Sequence, residues 1–414
     1  MTTETVTITR LGAKGHGIAH GPNGPIFVPH ALPGETVAIA LNGNQGTMIS
    51  ASAASPDRIA PPCRHFDPDR DACGGCVLQH VADAPYRAFK RELVVDALKA
   101  KGLDGPVEPL INCTAGQRRR VVFSARMTEK GLLLGFNRAE TNHIISIEEC
   151  PIASPGIVTR LPAIRLVAAT LASGSAAFRL TVTETLSGLD LAAEGAKPLA
   201  EKQRRQVIEA MLAAKGFARI SVNGEVLVEP QKPVIDFGGV LVSPPPGAFM
   251  QATKEAEDAM AELVLSHIGK AKRVLDLFAG SGTFALRLAK KARVHAVEGE
   301  EKPLKALDHA ARNTQGLKPV TIEKRDLFRR PLTAQELKVF DAVVFDPPRA
   351  GAEAQVTELA RSGVRKIAAV SCNPLTLARD LRVLVDIGYA VRSVTPIDQF
   401  LWSTHVEVVA LLER

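Results

Sequence analysis

The sequence predicts a multidomain protein with a small N-terminal β-barrel, a central α+β domain and a C-terminal doubly wound α/β domain. A chain of 414 residues is too long for one ordinary core, so two or three domains are expected. Residues 1–56 show short alternating strands broken by Gly and Pro at close intervals, which is typical of a small barrel. From residue 241 onward strand and helix patterns alternate, which indicates a largely parallel sheet covered by helices.

The central region, residues 57–240, mixes strand-like runs with helical patterns. One amphipathic helix is predicted over 83–101, because Asp83 can open it and Pro85 falls in its first turn. We expect this helix to pack on the C-terminal domain. A second helix is predicted at about 197–215, and the rest of this region is expected to form strands.

The C-terminal region, residues 241–414, has the regular order of a doubly wound sheet. A helix is predicted over 282–291, directly after a glycine-containing turn. Two strands are expected to close the chain. Five further strands that alternate with helices are predicted at 273–279, 293–299, 320–326, 340–346 and 366–372.

The composition is that of a folded protein with a modest basic excess. Apolar residues make up 46% of the chain and charged residues 23%, as in ordinary globular proteins. Lys and Arg number 51 against 44 Asp and Glu, and the net charge of +7 permits a polyanionic partner without requiring one. Aromatic residues are only 4% of the chain, so extensive base stacking along single strands is not expected.

No targeting or membrane-spanning segment is predicted. The N-terminal stretch MTTETVTITR is polar and alternating, without the apolar core of a signal peptide. The sequence also contains no run of 18 apolar residues. We therefore expect a cytoplasmic protein that does not have a membrane as a partner.

Clustered cysteines in such a chain indicate a metal or catalysis more often than disulfides. Cys63, Cys73, Cys76 and Cys150 form a candidate ligand set, in which Cys73 and Cys76 can bind two corners of one metal centre. The spacing fits a four-cysteine zinc site nearly as well as an iron–sulfur cluster, so both readings stay open on these residues alone. We interpret Cys113 as structural.

A glycine turn follows the first strand of the C-terminal region. Gly280 and Gly282 would let the backbone approach a ligand closely at the start of a helix. The third glycine of a dinucleotide fingerprint is missing, so a pyrophosphate is not indicated. Glu298 ends the next strand and can accept hydrogen bonds from two ribose hydroxyls. This combination favours S-adenosylmethionine (SAM), which carries no phosphate, over a nicotinamide dinucleotide.

Three more reactive side chains lie at predicted strand ends. Asp346 ends a core strand and is followed by two prolines, and Cys372 ends the next core strand before Asn373 and Pro374. Glu407 starts an apolar strand, where a carboxylate is costly to bury without a partner or a task. Carboxyl ends of parallel strands meet at one edge of a sheet, so we expect these groups to face one crevice.

A thiol, a carboxylate and a methyl donor together suit methylation of uracil at C5. Addition of a thiolate to C6 makes C5 nucleophilic enough to take the methyl group, and a base must then remove the C5 proton. Cys372 is the candidate nucleophile and Glu407 the candidate base. A helix that starts just after Cys372 is expected to stabilise the thiolate. Asp346 is expected to lie beside the methyl donor and the target base.

Three motifs carry a family resemblance. They are SCNPLT at 371–376, HVE at 405–407 and DPPRAG at 346–351. With these motifs the chain resembles the SAM-dependent RNA uracil-5-methyltransferases, in the bacterial subgroup with an N-terminal TRAM barrel and an iron–sulfur cluster. The resemblance covers nearly the whole chain. It implies a TRAM/OB-like barrel and a Rossmann-like methyltransferase domain.

The resemblance also implies cofactors, site residues and partners. It favours a [4Fe–4S] cluster over zinc at the four cysteines, and 23S rRNA as the substrate, with tRNA or another RNA base as alternatives. We expect a monomer. By alignment with the family, the SAM contacts come from Gln251, Phe278, Thr283, Glu298 and Asp346.

Two other classes of function are weighed against this interpretation. A SAM-dependent enzyme that methylates a base nitrogen or a protein would need no nucleophilic cysteine, although DPPR resembles the motif of such enzymes. An RNA-binding scaffold with a degenerate methyltransferase fold would need neither Cys372 nor Glu407. The presence of both residues disfavours both alternatives.

Overall fold

The computed structural model describes residues 2–66 and 72–414 of the chain. Its N-terminal part is a closed barrel with the strand order β1-β2-β3-β5-β4, as the sequence predicts. Alternate side chains of the strands point inward, so that Ile8, Val28 and Val37 are buried in the barrel core. The strands are β1 (Thr2–Leu11), β2 (Gly17–Gly21), β3 (Gly24–Val28), β4 (Thr36–Asn42) and β5 (Gln45–Ala53).

A long helix and a second sheet follow the barrel. Helix α1 spans Asp83–Lys99, close to its predicted limits. The central sheet has seven strands in the order β12-β11-β10-β9-β6-β7-β8 and is covered by short helices. Its elements are β6 (Arg120–Thr128), β7 (Gly131–Asn137), β8 (Ile144–Ser146), α2 (Pro155–Val158), α3 (Leu161–Leu171), β9 (Phe178–Thr185), β10 (Gly188–Glu194), α4 (Glu201–Ala213), β11 (Phe217–Val222) and β12 (Glu225–Val228).

The sequence analysis missed helix α3. Its sequence LPAIRLVAATL is apolar almost throughout, and the structure buries Leu161, Ile164 and Leu171 against the central sheet. A short, continuously apolar run does not reveal by its periodicity whether it is a strand or a buried helix. The predicted helix at 197–215 is confirmed as the slightly shorter α4.

The C-terminal part contains the predicted alternation of strands and helices. A two-stranded ribbon, β13 (Ile235–Asp236) and β14 (Leu241–Val242), precedes it. The remaining elements are α5 (Lys254–Ile268), β15 (Arg273–Leu277), α6 (Ala285–Leu288), β16 (Arg293–Glu298), α7 (Glu301–Asn313), β17 (Val320–Lys324), α8 (Ala334–Leu337), β18 (Ala342–Phe345), α9 (Glu353–Ser362), β19 (Lys366–Ser371), α10 (Pro374–Asp386), β20 (Ala390–Ile397) and β21 (Glu407–Glu413).

The strand order of this sheet, β17-β16-β15-β18-β19-β21-β20, explains where a ligand can bind. Strands β15 to β19 run parallel, and β21 is inserted antiparallel between β19 and β20. The chain leaves β15 toward β17 on one side and returns through β18 on the other. The carboxyl ends of β15 and β18 therefore flank a topological switch point, where open α/β sheets bind their ligands.

One predicted helix is much shorter in the structure. The sequence predicts a helix over 282–291, but α6 spans only Ala285–Leu288. Gly282 has a φ of +103°, a conformation outside the helical region, so the chain turns there before the helix starts. The predicted limits at residues 57 and 241 stay predictions.

Helix α1 packs on the C-terminal domain, as expected. Val94, Ala97 and Leu98 join the same buried apolar cluster as Leu381 of α10 and Val394 of β20. The helix that follows the barrel thereby forms part of one core with the C-terminal sheet. Across residues 2–66 and 72–414, no helix combines the length and apolar character needed to cross a membrane.

Candidate active site

A large cavity opens at the switch point of the C-terminal sheet. Its volume is about 850 Å³, which is within the range of small-molecule sites. Seven of the predicted site residues line it together, although they come from six separate stretches of sequence. They are Gln251, Phe278, Gly280, Glu298, Asp346, Cys372 and Glu407.

Asp346 lies directly after β18, where Pro347 and Pro348 end the strand. Gln251 donates a hydrogen bond from Nε2 to Asp346 Oδ2 at 2.9 Å. Burial raises the pKa of Asp346 to about 7, and the hydrogen bond from Gln251 opposes this shift only in part. The carboxyl group therefore keeps its proton to a higher pH than an exposed aspartic acid does.

Cys372 lies between the end of β19 and the start of α10. Asn373 caps α10 by accepting a hydrogen bond from Leu375 N at 3.1 Å, and its Nδ2 donates to Arg349 O at the same distance. Pro374 occupies the first turn, where its missing N–H costs nothing. This rigid Asn-Pro start of the helix holds the thiol of Cys372 at the cavity wall.

The thiol of Cys372 is less acidic than the sequence analysis expected. Burial is the largest cause that raises its pKa to about 11, and the carboxylates of Glu407 and Asp346 add to the effect. Arg349 acts in the opposite direction. The expectation that the start of a helix would favour the thiolate is thus outweighed by desolvation and by two acidic neighbours.

Glu407 is the first residue of β21, as predicted, and only 2% of its surface is exposed. Gln399 donates from Nε2 to Glu407 Oε2 at 2.9 Å. Burial raises the pKa of Glu407 well above its ordinary value, and the charge of Asp346 raises it further. The two carboxyl groups disfavour simultaneous ionisation, so they hold a proton between them more readily than isolated acids do.

The glycine turn after β15 forms the other end of the cavity. Gly280 donates its N–H to Glu298 Oε2 at 2.9 Å, and Glu300 donates its N–H to Oε1 at 2.8 Å. Phe278, which is not a glycine, has a φ of +60°, a strained conformation that is found most often at functional sites. These contacts fix Glu298 at the wall, where it can meet a ligand's hydroxyl groups.

Two predicted cofactor residues do not line the cavity. Gly282 and Thr283 belong to the described part of the chain but lie outside this wall. A Cβ atom on Gly282 would come within 2.9 Å of Leu286, so this glycine serves close packing behind the turn. The role of both residues in SAM binding stays a prediction.

Several residues of the site were not predicted from the sequence. Gln399 is buried and bonds to Glu407, but an amide in a loop gives no periodic signal that would reveal it. Asp326 follows β17 and could have been found as one more acid at a strand end of the same sheet. Three aromatic side chains that also line the cavity lie in loops, where no periodic pattern of apolar residues could have revealed them. They are Phe249, Phe328 and Phe400.

The four predicted metal ligands line a second, smaller cavity. Its volume is about 260 Å³, and its wall contains all four thiols together with Arg118 and Phe400. Burial raises the pKa of each thiol, to about 11 for Cys73 and to about 12 for Cys76. Within residues 2–66 and 72–414, no three His, Cys, Asp or Glu side chains are arranged to hold a metal ion. The four cysteines are Cys63, Cys73, Cys76 and Cys150.

The fold defines an α/β domain with a ligand cavity at its switch point, joined to a small β-barrel. Sequence comparison identifies the family. The tRNA (uracil-5-)-methyltransferase family matches residues 189–414, and the TRAM domain matches residues 2–42. The chain belongs to the tRNA (uracil-5-)-methyltransferase family and is an RNA methyltransferase that uses SAM.

Relatives match over the whole chain. An RNA methyltransferase of Agrobacterium fabrum is 65% identical over 100% of both chains. The 23S rRNA (uracil(1939)-C(5))-methyltransferase RlmD of Halomonas elongata is 32% identical over 99% of this chain and 89% of its own. The crystal structure of Pyrococcus abyssi tRNA (uracil-54, C5)-methyltransferase with S-adenosyl-L-homocysteine has the same fold, with a TM-score of 0.76, 22% identity and 99% coverage of both chains.

Proposed function

We propose that this protein methylates C5 of a uridine in 23S rRNA, with Cys372 as nucleophile and Glu407 as base. The observation that carries the proposal is that one cavity is lined by a thiol, the buried carboxyl group of Glu407, the partly buried one of Asp346 and a glycine turn. An enzyme that methylates an amine has no use for the thiol.

The proposed reaction starts at the thiol of Cys372. Its sulfur adds to C6 of the uracil ring, and the electron pair of the C5–C6 bond moves onto C5 and the adjacent carbonyl. C5 then attacks the methyl carbon of SAM, and the sulfonium leaves as the neutral thioether of S-adenosylhomocysteine. The cationic sulfonium and Arg349 both favour the thiolate, which offsets the effect of Glu407 and Asp346 on its pKa.

The base completes the reaction. Glu407 takes the proton from C5, the C5–C6 double bond returns, and the sulfur of Cys372 leaves as a thiolate. Gln399 holds one oxygen of Glu407, so the other remains available for the proton. The pKa of Glu407, raised by burial, makes its carboxylate a stronger base than an exposed one.

The remaining wall of the cavity suits SAM. Glu298, fixed by two backbone N–H groups, faces the position of the ribose, and Asp346 places a negative charge for the cationic part of the donor. Gln251 bonds to Asp346 and so connects the cofactor end of the cavity to the reactive end. We assign SAM contacts to these residues and to Phe278.

The cysteine cavity suits an iron–sulfur cluster better than one zinc ion. A zinc ion needs four sulfur atoms about 2.3 Å from a single point. A cavity of about 260 Å³ holds a group much larger than one ion, and thiols are the donors that such clusters use. We propose a [4Fe–4S] cluster held by Cys63, Cys73, Cys76 and Cys150, which stabilises the fold and supplies no electron to the reaction.

The choice of 23S rRNA is supported by the relative from Halomonas elongata, whose name gives that substrate. The net charge of +7 suits any large RNA and does not distinguish rRNA from tRNA. Action as a monomer in the cytoplasm stays a prediction of the sequence.

The proposal is tested by trapping the covalent intermediate on RNA that contains 5-fluorouridine. A base can remove a proton from C5 but cannot remove fluorine in the same way, so the final elimination is blocked. We therefore expect the wild-type protein with SAM to form a stable adduct with a 23S rRNA transcript. Mass spectrometry should locate the link at Cys372, and Cys372→Ala should form no adduct. Cys113→Ala is the control, since this buried cysteine lies outside the catalytic cavity.

Three outcomes would contradict the proposal. Methylation at C5 by Cys372→Ala would remove the nucleophile, and an adduct at another residue would relocate it. Adduct formation with tRNA transcripts and not with the 23S rRNA transcript would overturn the substrate while leaving the chemistry in place.

A further inference from the structure

Lys90 is a fully buried lysine in the middle of helix α1. Its side chain is 0% exposed, and it lies one helical turn from the buried Tyr86 on one side and Val94 on the other. A lysine at such a position is costly unless its charge is paired and all its N–H groups have acceptors. An apolar residue would fill this place on the buried face at no such cost.

Among the described residues, the carboxylate and the two carbonyl groups that contact the Lys90 ammonium all belong to one loop. Lys90 Nζ forms an ion pair with Asp398 Oδ1 at 2.9 Å and donates hydrogen bonds to Phe400 O at 3.1 Å and to His405 O. The loop thus gives the ammonium group two carbonyl acceptors and one carboxylate of opposite charge. We name residues 398–407 the base loop, because it ends at Glu407.

Tyr86 supports the same loop from the preceding turn of α1. Its hydroxyl donates to Asp398 Oδ2 at 2.6 Å and accepts a hydrogen bond from Trp402 N at 2.8 Å. Trp402 has a φ of +57°, which is unfavourable for a side chain of this size and needs such support. The two residues of α1 thus hold the beginning, the middle and the end of the base loop.

The residue next to the anchored Asp398 bonds directly to the carboxyl group of Glu407. Gln399, next to Asp398, donates from Nε2 both to Glu407 Oε2 at 2.9 Å and to Gln251 Oε1 at 2.8 Å. Its own Oε1 accepts from Ala252 N at 2.8 Å, so the orientation of the amide is fixed. Any shift of Asp398 therefore moves the group that orients Glu407.

We propose that Lys90 and Tyr86 are positioning residues for Glu407, which they align through Asp398 and Gln399. The inference rests on the proposed role of Glu407 as the base. It predicts a specific defect: loosening the base loop slows the removal of the C5 proton, whereas the thiol, which lies between β19 and α10, still adds to the ring. Misplacement of a catalytic group by about 1 Å is enough to lower a rate by about 100-fold.

The test uses three variants of the full-length protein. Tyr86→Phe removes only a hydroxyl. Lys90→Met combined with Asp398→Asn removes both buried charges, because the single lysine variant would leave an unpaired carboxylate in the core. Lys99→Met on the same helix is the control, since its side chain is 64% exposed.

The measurements are kcat, KM for SAM, Kd for S-adenosylhomocysteine and the amount of methylated RNA linked to the protein during turnover on unmodified transcripts. For Tyr86→Phe and the double variant we expect kcat to fall about 10- to 100-fold, both binding constants to stay within about twofold, and the methylated adduct to accumulate. Fluorescence of Trp402, the single tryptophan of the sequence, should change because the base loop moves.

Two results would overturn the inference. One is a kcat within about twofold of that of Lys99→Met for both test variants; the other is a loss of kcat without accumulation of adduct. Glu407→Gln in the same assay separates this failure from failure of the proposed function. If Glu407→Gln accumulates the methylated adduct and the test variants do not, only the positioning inference is wrong; if Glu407→Gln accumulates none, the role of Glu407 itself is wrong.

Discussion

The catalytic cavity and the cysteine cavity are neighbours, and both are lined by cysteine thiols, but the thiols have different surroundings. Both contain thiols, most of them only partly buried, whose pKa is raised by desolvation, and Phe400 forms part of both walls. The catalytic cavity has one thiol beside two carboxyl groups and is large. The cysteine cavity has four thiols, is about a third as large and contains an apolar wall from the central sheet.

The difference shows that the neighbours of a cysteine decide its chemistry. A single thiol beside a base and a cation-binding carboxylate is suited to forming and breaking a covalent bond. Four thiols that line one cavity repel one another when ionised, and a bound cationic centre would remove that repulsion. Burial is the largest cause that raises the pKa of Cys73 and Cys76, and the neighbouring cysteines raise it further.

Replacement of the catalytic thiol should give the largest effect. We expect Cys372→Ser to lower methylation by about 10⁴-fold or more, because a hydroxyl is a far weaker nucleophile than a thiolate. The melting temperature should change by less than about 2 °C, since the side chain lies at a cavity wall. Methylation assays and calorimetry measure both quantities. A serine variant with near-normal turnover would show that the thiol of Cys372 is not the nucleophile.

Replacement of a thiol in the second cavity should give the reverse pattern. We expect Cys76→Ser to lower the melting temperature by about 5 °C or more and to reduce the iron bound per chain, while turnover of the remaining folded protein falls less than tenfold. Iron analysis, calorimetry and activity per folded molecule measure these effects. A loss of turnover as large as that of Cys372→Ser with unchanged stability would show that the second cavity takes part in the chemistry.

A smaller effect, the release of protons when SAM binds, should be specific to the catalytic cavity. The pKa of Asp346 is about 7, and the positive sulfonium favours its ionised form, so the bound state has a lower pKa. Binding of SAM at pH 7 should therefore release a fraction of a proton, and binding of the neutral S-adenosylhomocysteine should release less. Calorimetry in buffers of different ionisation enthalpy measures the release.

Asp346→Asn is the control for this prediction, because an amide cannot ionise. Its proton release on SAM binding should be clearly smaller than that of the wild type. Equal release by both proteins would show that another group titrates, and proton uptake would give the wrong sign for the carboxyl group.

Much of the fold could be predicted because its patterns are local. The barrel, α1 and the strands of the C-terminal sheet follow from the spacing of apolar residues and from Gly and Pro at turns. The helix α3 was missed because it is apolar on all sides, and α6 was predicted too long because the turn at Gly282 continues past the glycines.

The candidate site divides in the same way. Asp346, Cys372 and Glu407 could be found because each interrupts an apolar strand at its end, which is a visible departure from the pattern. Gln399 could not be found, since its importance comes from hydrogen bonds to Glu407, Gln251 and the backbone of Ala252, which only the fold brings together. Lys90 left a weak signal, as a charge on the apolar face of a helix between Tyr86 and Val94.

The sequence by itself determined which elements form and which reactive side chains lie at strand ends, because helix and strand periodicities and turn residues act over a few neighbouring positions. Only the tertiary structure decided how those side chains are oriented and charged. Burial in a shared cavity sets the pKa of Asp346 and Cys372, and the contact between α1 and the base loop joins residues more than 300 positions apart. Desolvation and long-range packing depend on the whole fold, so no short stretch of sequence encodes them.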